Sequence, residues 1–111
     1  MLIRDTVQNE RSVCLDLCCG TGDLSFELMR TGPALVISSD FSHQMLQQYQ
    51  RKLFNRPMRA SIIEADALQL PFRSDFFDLV TIAFGLRNLE SVSQGLAEIR
   101  RVLKTGGKIV V

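Results

Sequence analysis

Residues 12–23 read SVCLDLCCGTGD. An apolar run, Ser12 to Leu17, leads into two adjacent cysteines and two glycines one residue apart, with Asp16 and Asp23 at the ends of the segment DLCCGTGD. The run has the length of a buried strand ending at Asp16 or Leu17. Beyond the glycines, Leu24 and Leu28 fall on one helical face, and Gly32 and Pro33 supply a stop. The segment therefore predicts a strand, a glycine turn and a helix. What that turn holds decides the function: a metal, a phosphate, or another ligand.

The metal reading is poor. Cys14, Cys18 and Cys19 are the three cysteines, and His43 is the one histidine. Zinc takes about four ligands in a tetrahedron. His43 lies far along the chain and no second cysteine pair exists, so no metal site is expected. The cysteines read instead as small buried apolar groups. An odd number, two of them adjacent, is a poor disulfide framework and fits a reducing, cytoplasmic setting.

Working outward, ALVISSD (34–40) predicts a second strand, RASIIEAD (59–66) a third and DLVTIAF (78–84) a fourth. Ser42 is a candidate N-cap for a helix whose face carries Met45, Leu46, Tyr49 and Leu53. PFRSDFFD (71–78) reads as a loop. Ser91 with Gln94 forms a capping-box pattern, and Val92, Leu96, Ile99 and Leu103 make an apolar stripe behind it. Gly106 and Gly107 are expected to end that helix, with KIVV opening a fifth strand. Alternating strands and helices imply a mostly parallel sheet with helices on its faces. Ligands of such sheets bind at the carboxyl ends of the strands, where the glycine turn would sit.

The chain has 111 residues, enough for one domain. Hydrophobic residues make up 46% and charged residues 23%, the balance of a globular protein with a core. A formal net charge of +1 gives no electrostatic case for nucleic acid. No apolar run approaches the ~20 residues of a membrane span. The start, MLIRDTVQNERS, turns polar too early for a secretory signal.

Gly20 and Gly22 allow a tight turn and close backbone approach to a ligand. The dinucleotide fingerprint wants a third glycine or alanine, and Ser25 stands there. A carboxylate beside a pyrophosphate is electrostatically wrong, whereas beside an ammonium it is right. Asp16 next to the turn therefore favours S-adenosylmethionine, which carries an ammonium and a sulfonium and no phosphate. Asp40, at the end of strand two, can accept hydrogen bonds from both ribose hydroxyls of either ligand. Asp66, at the end of strand three, can accept from an adenine amino group while the Ala67 backbone faces the ring.

The chain resembles the class I S-adenosylmethionine-dependent methyltransferases, and within them the ubiquinone/menaquinone biosynthesis C-methyltransferase family. The matching segments are LDLCCGTGDLS, SDFSHQML, EADALQLPFRSDFFDLVTIAFGLRNL and RVLKTGGKIVV, which cover nearly everything from Val13 to Val111. The string from LPF to AFGLRN is the most specific of them. The resemblance implies a Rossmann-like α/β fold with strand order 3-2-1-4-5. It implies a single S-adenosylmethionine-binding domain over 1–111, incomplete and without the C-terminal hairpin strands of the class.

It further implies a cofactor site of Asp16, Gly20, Thr21, Gly22, Asp40, Phe41, Asp66, Ala67 and Ala83. Cys18 stands where Gly or Ala is usual, and Thr105 where Pro is usual. Ala83 falls where some members have a serine. The implied reaction is methyl transfer to a ring carbon of a demethylated polyprenyl quinol. Arg87 would stabilise the developing oxyanion, and Asn88 would orient the hydroxyl or a water.

The expected partners are a polyprenyl quinol, a membrane surface touched peripherally, and a second copy of the chain in a homodimer. The competing readings are a methyltransferase of another small molecule, and an inactive remnant that binds adenosyl ligands. His43 reads as a surface or cofactor-rim residue, and Phe72, Phe76 and Phe77 mostly as core. Arg100, Arg101, Lys104 and Lys108 read as a solvated face.

Overall fold

The computed structural model describes residues 11–33, 35–83 and 85–111. The polar lead-in before Arg11, and Ala34 and Phe84 of the expected second and fourth strands, lie outside the described residues. The elements in chain order are β1 (Val13–Leu17), α1 (Asp23–Arg30), β2 (Leu35–Asp40), α2 (His43–Phe54), β3 (Ser61–Glu64) and β4 (Phe77–Thr81). A 3-10 turn (Leu86–Asn88), α3 (Val92–Val102) and β5 (Leu103–Val110) follow. The five strands form one parallel sheet in the order β3-β2-β1-β4-β5. That is the α/β fold and strand order the resemblance implies.

Strand side chains alternate between faces, and the core divides accordingly. Leu15, Leu17, Ile37, Val80 and Ile82 pack on one face against Ile99 and Val102 of α3. Cys14, Val36 and Leu79 pack on the other against Leu28 of α1. Phe26, Leu46 and Tyr49 extend that second layer to α2. Full burial of one such leucine or phenylalanine is worth roughly 1.5–3 kcal/mol, so both layers are needed in so short a chain.

The caps are as the sequence predicts. Ser42 Oγ accepts from Met45 N, and Ser91 Oγ from Gln94 N. The Gln94 side chain does not close the capping box, however; its Nε2 donates to the Leu68 carbonyl 3.0 Å away.

Three expectations need correction. α3 ends at Val102 without a glycine, because Leu103 already pairs with Phe77. The register then jumps to Leu79–Lys108, so residues 104–107 bulge from β5 and Gly106 and Gly107 lie inside the strand. The buried face of α3 is Gly95, Ile99 and Val102, with Val92 and Leu96 exposed. Finally, β3 and β4 are shorter than expected, which leaves Asp66 two residues past β3 and Ala83 two residues past β4.

Candidate active site

The sheet reverses its winding at β1, which has β2 on one side and β4 on the other. A cleft of about 240 Å³ opens there at the carboxyl edge. Leu17 and Cys18 come from the end of β1, Asp40 and Phe41 from the end of β2, Ala65 to Leu68 from the segment after β3, and Asn88 to Glu90 from the segment after β4. Asp40, Phe41, Asp66 and Ala67 are thus brought together as expected, and Asn88 joins them.

The glycine turn is built by backbone that leaves the usual φ range. Gly20 has φ 57° and Gly22 φ 93°. Cys18 has φ 55°, which for a residue with a Cβ costs on the order of 1–2 kcal/mol. The turn is held from α2 and its entrance. Asp40 Oδ2 accepts from Gly20 N at 2.8 Å while Oδ1 accepts from Ser42 N at 2.7 Å. Lys52 Nζ donates to Thr21 Oγ1 and to Asp23 Oδ1, each at 2.9 Å. Lys52 carried no signal in the sequence beyond its basic charge.

Asp66 Oδ1 accepts from Leu68 N at 2.9 Å, which fixes the turn that carries the buried Ala67. Phe41 is 76% exposed, an uncovered aromatic at the cleft edge. The Cys18 thiol is pushed up to about 11, by burial first and then by Asp40 and Asp16, so it stays protonated.

Asp16 stands elsewhere. Its carboxylate lies 1% exposed on the α1 side of the sheet, the opposite face from Leu15 and Leu17. Ser25 Oγ donates to Oδ2 at 2.6 Å and Thr81 Oγ1 to Oδ1 at 3.0 Å. Burial outweighs both bonds, and its pKa is pushed up to about 6. Asp16 thus braces the strand end and the first turn of α1 from beneath the glycine turn.

Arg87 and Asn88 separate. Arg87 lines a second groove of about 370 Å³ with Ala83, Leu86, Val92 and Val111. His43 Nδ1 meets Glu64 Oε1 at 2.7 Å on the surface. Phe72 and Phe76 stack edge-on against the fully buried Phe77, with centroids 5.3 and 5.0 Å apart, so the aromatic trio is core. Arg101 is not a solvated cation. It donates to the Leu70 and Phe72 carbonyls and grips Glu98, tying the 70–74 segment to α3. Among the described residues, no group of three or more His, Cys, Asp and Glu side chains stands close enough to hold a metal ion. Nor is any of their helices long and apolar enough to cross a membrane.

The family model described as the ubiE/COQ5 methyltransferase family matches residues 2–111. The chain belongs to the ubiE/COQ5 methyltransferase family. Among its relatives is a demethylmenaquinone methyltransferase of Lactiplantibacillus plantarum, 47% identical over 86% of this chain and 42% of the relative. The 2-phytyl-1,4-naphtoquinone methyltransferase of Trichormus variabilis is 37% identical over 100% of this chain and 50% of the relative. The fold is that of an S-adenosylmethionine-dependent methyltransferase from Mesorhizobium loti, with a TM-score of 0.81 at 23% identity over 96% of this chain and 49% of the other. The chain spans about half the length, or less, of these ubiE/COQ5-type relatives.

The cleft suits the cofactor that this family's resemblance implies. Its lining sets carboxylates for hydroxyl and amino donors beside apolar side chains, and Arg87 opens on a different groove. Ser39, beside Asp40 and in register with Leu17 of the cleft wall, has a buried hydroxyl with no partner among the described residues.

Proposed function

We propose that residues 1–111 form a single S-adenosylmethionine-binding methyltransferase domain, and that the whole protein methylates a ring carbon of a demethylated polyprenyl quinol of the demethylmenaquinol type. The observation that carries the reading is the cleft at the switch in the sheet, which Asp40 at the end of β2 and Asp66 just past β3 line together. Asp40 would accept from the ribose hydroxyls. Asp66 and Ala67 would meet the adenine, with Phe41 and Asn88 closing over it. Gly20, Thr21 and Gly22 would follow the amino-acid part.

Bound S-adenosylmethionine supplies a methyl group already activated on a sulfonium. The chain's own task is to bind, align and exclude water. The groove of Ala83, Leu86, Val92 and Val111 offers an apolar surface to a quinol ring, and Arg87 offers the charge that favours a phenolate-like oxygen there. A polyprenyl substrate brings the protein to a membrane surface from the cytoplasmic side.

Calorimetry with S-adenosylhomocysteine, and with NADH as the control, tests the cofactor. Binding of the first and not the second is expected, with Asp40→Asn weakening it about tenfold or more. Transfer of a labelled methyl group to demethylmenaquinol by the whole protein tests the substrate. Arg87→Ala should depress turnover while binding of S-adenosylhomocysteine is kept; near-normal turnover would discard its role.

A further inference from the structure

Beneath the glycine turn runs a buried chain of hydroxyls. Tyr49 of α2 is fully buried, and its OH lies 2.8 Å from Ser38 Oγ on β2. Ser38 Oγ lies 2.8 Å from Ser25 Oγ in the first turn of α1, and Ser25 donates to Asp16 Oδ2. Ser25 and Ser38 are also fully buried. A hydroxyl has one proton to give. Ser25 spends its proton on Asp16, so Ser38 must donate to Ser25, and Tyr49 must donate to Ser38. The chain therefore has one direction, from a phenol, the strongest donor, to a carboxylate, the strongest acceptor. Such a sequence strengthens each bond in it. Burial raises the Tyr49 pKa further, which keeps its proton in place.

The same tyrosine touches the turn directly. A Cβ on Gly22 would meet the Tyr49 ring at 2.5–2.7 Å, so the ring lies flush against that glycine. The ring also meets Phe26 edge-on at 5.4 Å. Asp16 stands two residues before the 18–22 turn and Ser25 three residues after it. Both ends of the turn and its last glycine are thus referred to one side chain on α2.

We infer that Tyr49 is a positioning residue for the adenosyl ligand, setting the 18–22 turn through its ring against Gly22 and through the Ser38–Ser25–Asp16 hydroxyl chain. The inference rests on the cofactor reading proposed above. Tyr49→Phe keeps the ring and removes the head of the chain, and Ser38→Ala cuts the chain in the middle.

Calorimetry with S-adenosylhomocysteine on both variants and their combination is the test. Tyr49→Phe, which removes one hydrogen bond, should weaken binding about fivefold, and Ser38→Ala, which removes two, by at least as much. The double variant should be no worse than Ser38→Ala alone, since that change already removes the bond to Tyr49. In the whole protein the KM for S-adenosylmethionine should rise by the same factor, with kcat changing less. Unfolding midpoints that fall while affinity holds would overturn the inference, as would losses that simply add. Where Tyr49→Phe does not fold, Ser38→Ala alone decides by the same affinity measurement. If the unaltered chain fails to bind S-adenosylhomocysteine, the cofactor reading itself is at fault. If it binds and the variants bind equally well, only the positioning role falls.

Discussion

The side chain of Cys18 fills the space a Cβ on Gly85 would need. That Cβ would lie 2.5 Å from Cys18 Cβ and 2.6 Å from its Sγ. Cys18 directly follows β1 and Gly85 caps the 3-10 turn after β4, so this one contact joins the glycine turn to the segment that carries Arg87 and Asn88.

Gly85→Ala should therefore destabilise the chain by about 1–3 kcal/mol, the usual cost of overpacking against atoms that cannot swing away. Cys18→Gly should relieve the clash, because it removes both atoms and suits φ 55°. Urea unfolding of the two single variants and the double one gives the coupling between them. Additive losses would show that the two residues do not compete for one space.

The two glycines of the turn should differ. A Cβ on Gly20 meets nothing within 4 Å, so Gly20→Ala pays only for its left-handed backbone, about 1–2 kcal/mol. Gly22→Ala has the same backbone cost and also strikes the Tyr49 ring. Denaturant midpoints should rank Gly22→Ala clearly below Gly20→Ala.

Asp16 should make stability depend on pH in the acid range. Its folded pKa, about 6, lies above its ordinary 3.8, so between those values the folded chain holds a proton that the unfolded chain has lost. Its contribution is fully present below 3.8 and is lost as pH rises through about 6. A shift of this size corresponds to at most about 3 kcal/mol. Asp16→Asn keeps the shape and removes the titration. Unfolding free energies measured across this window should fall for the unaltered chain relative to the variant; parallel curves would contradict the assignment.

Arg101 should behave as a structural clamp. Arg101→Met should cost about 1–3 kcal/mol, since it takes the guanidinium away from the Leu70 and Phe72 carbonyls and leaves the mostly buried Glu98 with only the Leu70 N–H. Arg101→Lys should not restore it, because one ammonium cannot reproduce a planar fork. Thermal unfolding of both variants is the check.

Much of this was legible in the residues. The glycine turn, the Ser42 and Ser91 caps and the acid closing β2 each have a local cause and are where the sequence puts them. The misreadings concern which way a side chain faces and which strand it meets. Asp16 lies close to the turn in sequence, and strand alternation puts it on the face of Cys14, opposite that of Leu17. Gly106 and Gly107 signal the end of α3, whereas the pairing of Leu103 with Phe77 ends it earlier, and no local pattern contains that contact. Arg101 sits in sequence among basic neighbours, but the carbonyls it binds lie in a loop about thirty residues upstream. The stripe on α3 was rotated because Gly95, which carries no apolar signal, is the residue covered by Leu89.

The wiring of Asp40 has a consequence for how fast and at what entropic cost a ligand settles. Both carboxylate oxygens are already anchored by backbone N–H groups, one on each side, and each oxygen keeps a lone pair turned to other donors. No rotamer search is left to freeze at that position, so the recognition of a diol there begins from a rigid, preorganised acceptor.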